Sequence, residues 1–274
     1  MSSTLKLGIS TWSIGTSTID ALELIDSLGF EYVEFWYYND IKDRREEIIQ
    51  LLSSYKLKPQ SLHSPFTENF NIAHLNEKIR IRAIDNLTKV IEIASFYNCK
   101  YIVIHPGIGV FDSYEDYSLA KDMLVDSLKA LERILEEYDM YILLENMTIH
   151  KSKFRIGTKV NELVKLIKDN SLERVGICLD TGHSNYNAID PSIEAIEAGK
   201  LLKSLHVNDN DGFSDSHKVP GEGSINWKSF MKALKRINYN GVFLYEVYGA
   251  NNAKPVLEKV LKISEVLLEE FMKS

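Results

Sequence analysis

Cysteine is scarce in this 274-residue chain: there are two, Cys99 and Cys178. Cys99 precedes one predicted strand and Cys178 lies inside another, which leaves no disulfide framework. Both are read as reduced thiols, Cys178 as core filler and neither as a nucleophile. Long apolar runs are also missing. No stretch approaches the roughly 18 residues needed to span a bilayer, and the opening MSSTLKLGIS has no apolar segment of useful length. The expectation is a cytoplasmic protein with no membrane partner. Positive charge is in the minority, 32 Lys and Arg against 39 Asp and Glu, and the formal charge of −7 argues against a general nucleic-acid binder. Neither a Gly-x-Ser-x-Gly elbow nor a Walker phosphate loop occurs, which removes support for serine–histidine hydrolysis and for P-loop nucleotide chemistry. No Pro/Gly/Ser-rich linker divides the chain, so residues 1–274 are expected to form a single domain.

What the chain does contain is a regular alternation. Leu5 to Thr11 reads as a strand, and Ile19, Leu22, Ile25 and Leu28 then recur at helical spacing before Gly29 stops the helix. Tyr32 to Trp36 is a second strand, followed by a charged helix from Ile41 to Tyr55. Leu57 to His63 is a third, followed by a long helix from Asn76 to Tyr97. Strand four, Tyr101 to His105, leads to a helix from Tyr117 to Tyr138. Strand five, Tyr141 to Glu145, leads through a loop to Gly157 and a helix ending at Lys168. Strand six is the apolar run Val175 to Leu179, continuous in the manner of a fully covered parallel strand. A short helix from Pro191 to Gly199, a strand from Leu201 to Val207, a helix from Trp227 to Ile237, a strand from Gly241 to Val247 and a helix from Pro255 to Met272 complete the series. Eight strands, each followed by a helix, are the expectation for a single (β/α)8 TIM barrel rather than an open doubly wound sheet.

In such a barrel the C-terminal ends of the strands converge on one mouth. His63, His105, Glu145, Asp180 with His183, His206 and Glu246 stand at the ends of strands three to eight, and Asp215 and His217 lie in the loop after strand seven. Of seven histidines, only His74 and His150 fall elsewhere. An Asp at position 180 either caps the following turn or points into the mouth, and Gly182 is expected to supply the sharp turn there. Carboxylates gathered in a low-dielectric mouth repel one another unless cations neutralise them. Imidazole and carboxylate without thiolate suit Zn²⁺, Mn²⁺, Co²⁺ or Fe²⁺. Trp12 and Trp36, with Tyr37 and Tyr38, are candidates for an aromatic wall. Arg155 and Lys218 could hold an anionic or hydroxylated substrate, although solvated loop charges are the commoner outcome.

The motifs IHPG (104–107), LLEN (143–146), LDTGH (179–183), HVND (206–209) and DSHKVPGEG (215–223), in this order, resemble those of the xylose isomerase-like TIM barrels over nearly the whole chain. That superfamily includes sugar isomerases and epimerases and the endonuclease IV family. For the sugar branch the resemblance implies one divalent ion held by Glu145, Asp180, His206 and Glu246. The two glutamates would then act as acid and base on a sugar substrate passing through an enediolate. For the endonuclease IV branch it implies up to three zinc ions and cleavage of DNA at abasic sites. Their ligands would be His63, His105 and Glu145; Glu145, Asp180, His206 and Glu246; and His183, Asp215 and His217. The segment WYYNDIKD lacks the arginine which that family inserts into the duplex, and GISTWSIGTS resembles the sugar branch.

Overall fold

The computed structural model describes residues 5–249 and 252–273. The eight strands are β1 (Lys6–Ser10), β2 (Tyr32–Trp36), β3 (Lys58–His63), β4 (Tyr101–Ile104), β5 (Tyr141–Glu145), β6 (Val175–Asp180), β7 (Leu202–His206) and β8 (Val242–Tyr245). Each pairs in parallel with its sequence neighbour from β1 to β7, and β8 pairs with β1. A parallel bridge between Val207 and Tyr245 closes the ring. There Val207 N donates to the Leu244 carbonyl at 2.8 Å and Glu246 N donates to the Val207 carbonyl at 3.1 Å. The expected (β/α)8 barrel is therefore the observed one.

The helices are α1 (Thr18–Ser27), α2 (Asp40–Asp43), α3 (Arg45–Tyr55), α4 (Glu77–Phe96), α5 (Tyr114–Glu137), α6 (Val160–Asp169), α7 (Thr181–Tyr186), α8 (Pro191–Ala198), α9 (Trp227–Arg236) and α10 (Ala253–Lys273). Among the described residues none is long and apolar enough to cross a membrane. The helix expected from Ile41 to Tyr55 is broken at Arg44, whose backbone (φ −123°, ψ 39°) leaves the helical region. α5 starts at Tyr114, earlier than expected, because Ser113 caps it by accepting from Asp116 N. Buried Leu124, Leu128, Leu131 and Leu135 recur on one face of α5 at helical spacing. Burial of each such side chain stabilises by about 1.5–3 kcal/mol relative to exposure.

Strand periodicity explains what reaches the mouth. Side chains two apart share a face, so each inward ligand-type residue at a strand's end sits above a smaller or apolar inward residue. Ser61 lies two before His63, Val103 before His105, Leu143 before Glu145, Cys178 before Asp180 and Ser204 before His206. Val103, Leu143 and Cys178 form an apolar cluster separate from the main core between barrel and helices. Both cysteines are free and buried. Burial pushes the Cys178 thiol up to about 12, in keeping with filler and not with a nucleophile.

Candidate metal centre

Glu145 lies at the centre of the mouth. Its Oε2 is 3.1 Å from His63 Nε2 and 3.3 Å from His105 Nε2, and its Oε1 is 3.1 Å from His206 Nδ1. Glu246 Oε2 approaches the same His206 nitrogen at 3.4 Å. On the far side, Asp215 lies between His183 Nε2 at 3.2 Å and His217 Nε2 at 3.6 Å. All nine ligand-type residues thus meet at one end of the barrel. His105 and Glu246 stand one residue beyond the last residues of β4 and β8, and His183 is in α7.

Four sets offer ligand atoms lying within 4.8 Å of one another: Glu145, Asp180, His206 and Glu246; His63, His105 and Glu145; His63, His206 and Glu246; and Asp180, His183 and His217. The first two match the expected groupings. In the third expected grouping Asp180 converges with His183 and His217, and Asp215 flanks the two imidazoles.

Loop packing aims these groups. Asp180 does cap α7, its Oδ1 accepting from His183 N at 2.7 Å, while its Oδ2 accepts from Asn208 Nδ2 at 2.8 Å. Asn146 ties β5 to β6 by accepting from Asp180 N at 2.7 Å and donating to the Asp180 carbonyl at 3.0 Å. Gly182 serves a different purpose from the sharp turn expected of it. Its φ is not positive, and a Cβ there would fall 1.9 Å from Asn208 Oδ1. The glycine makes room for the asparagine that steadies Asp180.

Electrostatically the mouth is a set of opposed charges. Burial disfavours the charged forms of Glu145 and His206, yet His206 and His105 hold Glu145 well below the usual carboxylate range, and Cys178, Glu246, Glu34 and Glu145 together hold His206 well above the usual imidazole range. Burial raises Glu246 to about 7 against the pull of His206 and His217. Burial lowers His105 to about 3, whereas Asp180, Asp215 and Glu145 overcome burial at His183 and push it up to about 10. Asp215 is lowered and His217 raised by attraction to the opposite charges around them, against burial. Glu145, Asp180, Asp215 and Glu246 each have an imidazole nitrogen within 4 Å. A divalent cation would neutralise them while leaving the imidazoles neutral as ligands, so the donor set fits a metal.

Trp12, Trp36, Phe66, Met147, Thr148 and Arg155 rim a cavity of about 290 Å³ above this cluster. Trp12 packs on His217 (centroids 4.8 Å apart), Trp36 on His63 (4.7 Å) and Phe66 on His105 (4.3 Å). Tyr37 lies against Phe70 and, like Tyr38, does not line the cavity. Arg155 does line it, its Nη1 bonded to the Thr148 carbonyl at 3.1 Å and hydroxyl at 2.9 Å. Lys218 does not; its ammonium turns to Asp211 at 3.3 Å. A larger groove of about 950 Å³ lies on the outer surface among residues of α5, α6 and α8, away from the ligand-type cluster.

Sequence reasoning missed Glu34. It is fully buried in β2, accepts from Ser61 Oγ at 2.7 Å and meets His206 Nε2 at 3.2 Å. Burial works against its ionisation, but His206, His63 and Ser61 hold it below the usual carboxylate range. The available signal was a lone carboxylate between Val33 and Phe35 in a strand covered on both faces.

A family model described as xylose isomerase-like TIM barrel matches residues 22–267. An uncharacterised protein of Methanocaldococcus jannaschii is 34% identical over 238 residues, covering 85% of this chain and 89% of its own. A probable endonuclease 4 of Mycoplasma mobile is 33% identical over 195 residues, 66% of this chain and 67% of its own. Among solved structures, a D-tagatose 3-epimerase-like protein superimposes with a TM-score of 0.81 at 26% identity, covering 96% of this chain and 99% of that one.

Proposed function

The chain belongs to the xylose isomerase-like TIM barrel family, and from that membership we propose that it is a metal-dependent isomerase or epimerase of a sugar or sugar derivative. The observation that carries the proposal is the placement of Glu145 and Glu246 on the same imidazole, 3.1 and 3.4 Å from His206 Nδ1, beneath a small aromatic-rimmed cavity. Glu145, Asp180, His206 and Glu246 would hold one divalent ion. When bound there, it supplies Lewis-acid polarisation of a carbonyl oxygen. Glu145 and Glu246 then act as base and acid at the carbon beside that carbonyl, so that the substrate passes through an enediolate. Trp12, Trp36 and Phe66 shield the proton transfer from water, and Arg155 orients substrate oxygens at the rim. The structure of the epimerase-like protein supports this reading as a likeness of about one residue in four over nearly the full length.

A second reading has its own observation. His63 and His105 converge with Glu145, and His183 and His217 with Asp180, so further ions could be recruited beside the first. Several cations side by side suit phosphodiester hydrolysis, and a relative at 33% identity bears the name probable endonuclease 4. One experiment separates the two. The metal-loaded protein is incubated with a ketose and aldose panel in deuterated water and, in parallel, with a duplex carrying an abasic site. Deuterium at a sugar carbon is expected; duplex cleavage without sugar turnover would reverse the assignment.

A further inference from the structure

Four of the five histidines of the mouth are anchored through both ring nitrogens, in two different ways; His105 faces Glu145 through Nε2 and has no partner on Nδ1 among the described residues. His63, His183 and His217 each direct Nδ1 to a backbone carbonyl, of Ser64 at 2.8 Å, Asn146 at 2.7 Å and Glu246 at 2.8 Å. Their Nε2 atoms are left to face the carboxylates of the site. His206 is reversed. Its Nδ1 faces Glu145 and Glu246, and its Nε2 points down the barrel to the Glu34 carboxylate, 3.1 Å from Oε1 and 3.2 Å from Oε2. Glu34 stands opposite Ser61 in the register of β2 and β3, and the Ser61 hydroxyl donates to its Oε2 at 2.7 Å. Glu34 is fully buried and does not line the cavity, so it touches neither substrate nor solvent.

We infer that Glu34 is the positioning residue of the metal centre. By accepting from His206 Nε2–H, and being itself held by Ser61, it keeps a proton on Nε2, so that Nδ1, on the side of Glu145 and Glu246, is the nitrogen that would donate to a cation held there. The inference rests on the metal reading given above. A backbone carbonyl only orients an imidazole. A carboxylate also transfers electron density into the ring as Nδ1 donates to a cation, making His206 a stronger ligand than the carbonyl-anchored His63, His183 and His217. The charge on Glu34 would go uncompensated in so dry an interior without that partnership, which accounts for a carboxylate at the barrel's centre. Ser61→Ala would leave Glu34 with His206 alone and weaken the arrangement in part.

The test uses the full chain stripped with chelator, Zn²⁺ alone as probe, and the variants Glu34→Gln and Ser61→Ala. Gln preserves size and can still accept one hydrogen bond but lacks the charge. Outer partners of metal-bound imidazoles typically contribute about 10–100-fold in affinity. Calorimetric titration should show Zn²⁺ affinity falling by about that factor in Glu34→Gln and by less in Ser61→Ala. In ¹⁵N-histidine-labelled wild type the His206 Nε2–H proton should appear at low field, exchanging slowly, with and without Zn²⁺. Glu34→Gln should move it upfield and leave the Nδ1–H signals of His63, His183 and His217 in place. Equal affinity in wild type and Glu34→Gln, or an unmoved Nε2–H resonance, would overturn the inference, as would Zn²⁺ bound through Nε2. A loss of thermal stability with unchanged affinity would also overturn it, assigning Glu34 a merely structural role. Failure of the wild type itself to take up Zn²⁺ would instead strike the metal reading.

Discussion

Glu246 carries the direct test of the chemistry among single side chains. Glu246→Gln, assayed with metal content verified, should lower turnover of the true sugar by about 10²–10⁴-fold, the usual worth of general acid–base help. A loss below about tenfold would show that Glu246 moves no proton. Gly182→Ala tests the close approach of Asn208, since the added Cβ would overlap Oδ1 at 1.9 Å. Pushing Asn208 aside releases Asp180 Oδ2. The expected result is a destabilisation of about 1–3 kcal/mol in urea together with weaker metal uptake. The nine ligand-type residues were legible because histidine and carboxylate at strand ends stand out against apolar runs. Glu34 was not, because a single charge inside YVEFW carries no pattern; only the register that sets it opposite Ser61 reveals its partner. Asn146 and Asn208 lie within recognisable motifs, yet their hydrogen bonds to Asp180 depend on how β5, β6 and β7 stagger.

The loop after β7 is the element on which Asp215 and His217 depend. Asp209, fully buried, organises it by accepting from Asn210 N, Gly221 N, Ile225 N and Trp227 Nε1 at 2.8–3.3 Å. Asp209→Ala would strand those donors in the interior and should cost about 2–4 kcal/mol in a denaturant titration. Ser113→Ala, which removes the α5 cap and its hydroxyl's bond to Asp116 Oδ2, should cost about 1 kcal/mol and leave metal uptake unchanged. The contrast separates damage to this loop from general loss of stability. Most elements were legible because their apolar periods are long. α7 was not: TGHSNY has no apolar stripe, and its helical turn is set by the Asp180 cap and by burial against neighbouring loops. The break at Arg44 likewise lies in backbone angles that the surrounding charged residues do not announce.

At the scale of the whole molecule, a bound ion adds stability because the folded mouth binds it and the unfolded chain does not. At a free metal concentration of 100 Kd the gain is about 2.7 kcal/mol. For a chain of this size that should raise Tm by about 5 °C over the chelator-treated protein in a thermal melt. No shift at saturating metal would count against the centre. Where that gain is felt follows from how the ring is shut. β1 to β7 pair along runs of residues, whereas β7 and β8 meet, among the described residues, in the single bridge of Val207 with Tyr245. The wall is therefore a sheet with a fastening, and the fastening lies between His206 and Glu246, two of the residues proposed to grip the ion. The amide protons of Val207 and Glu246, which make the closing bonds, should trade with solvent faster than those inside β4 or β5 in metal-free protein. Loading should slow those two first, because a cation clasped across the join resists its parting from within.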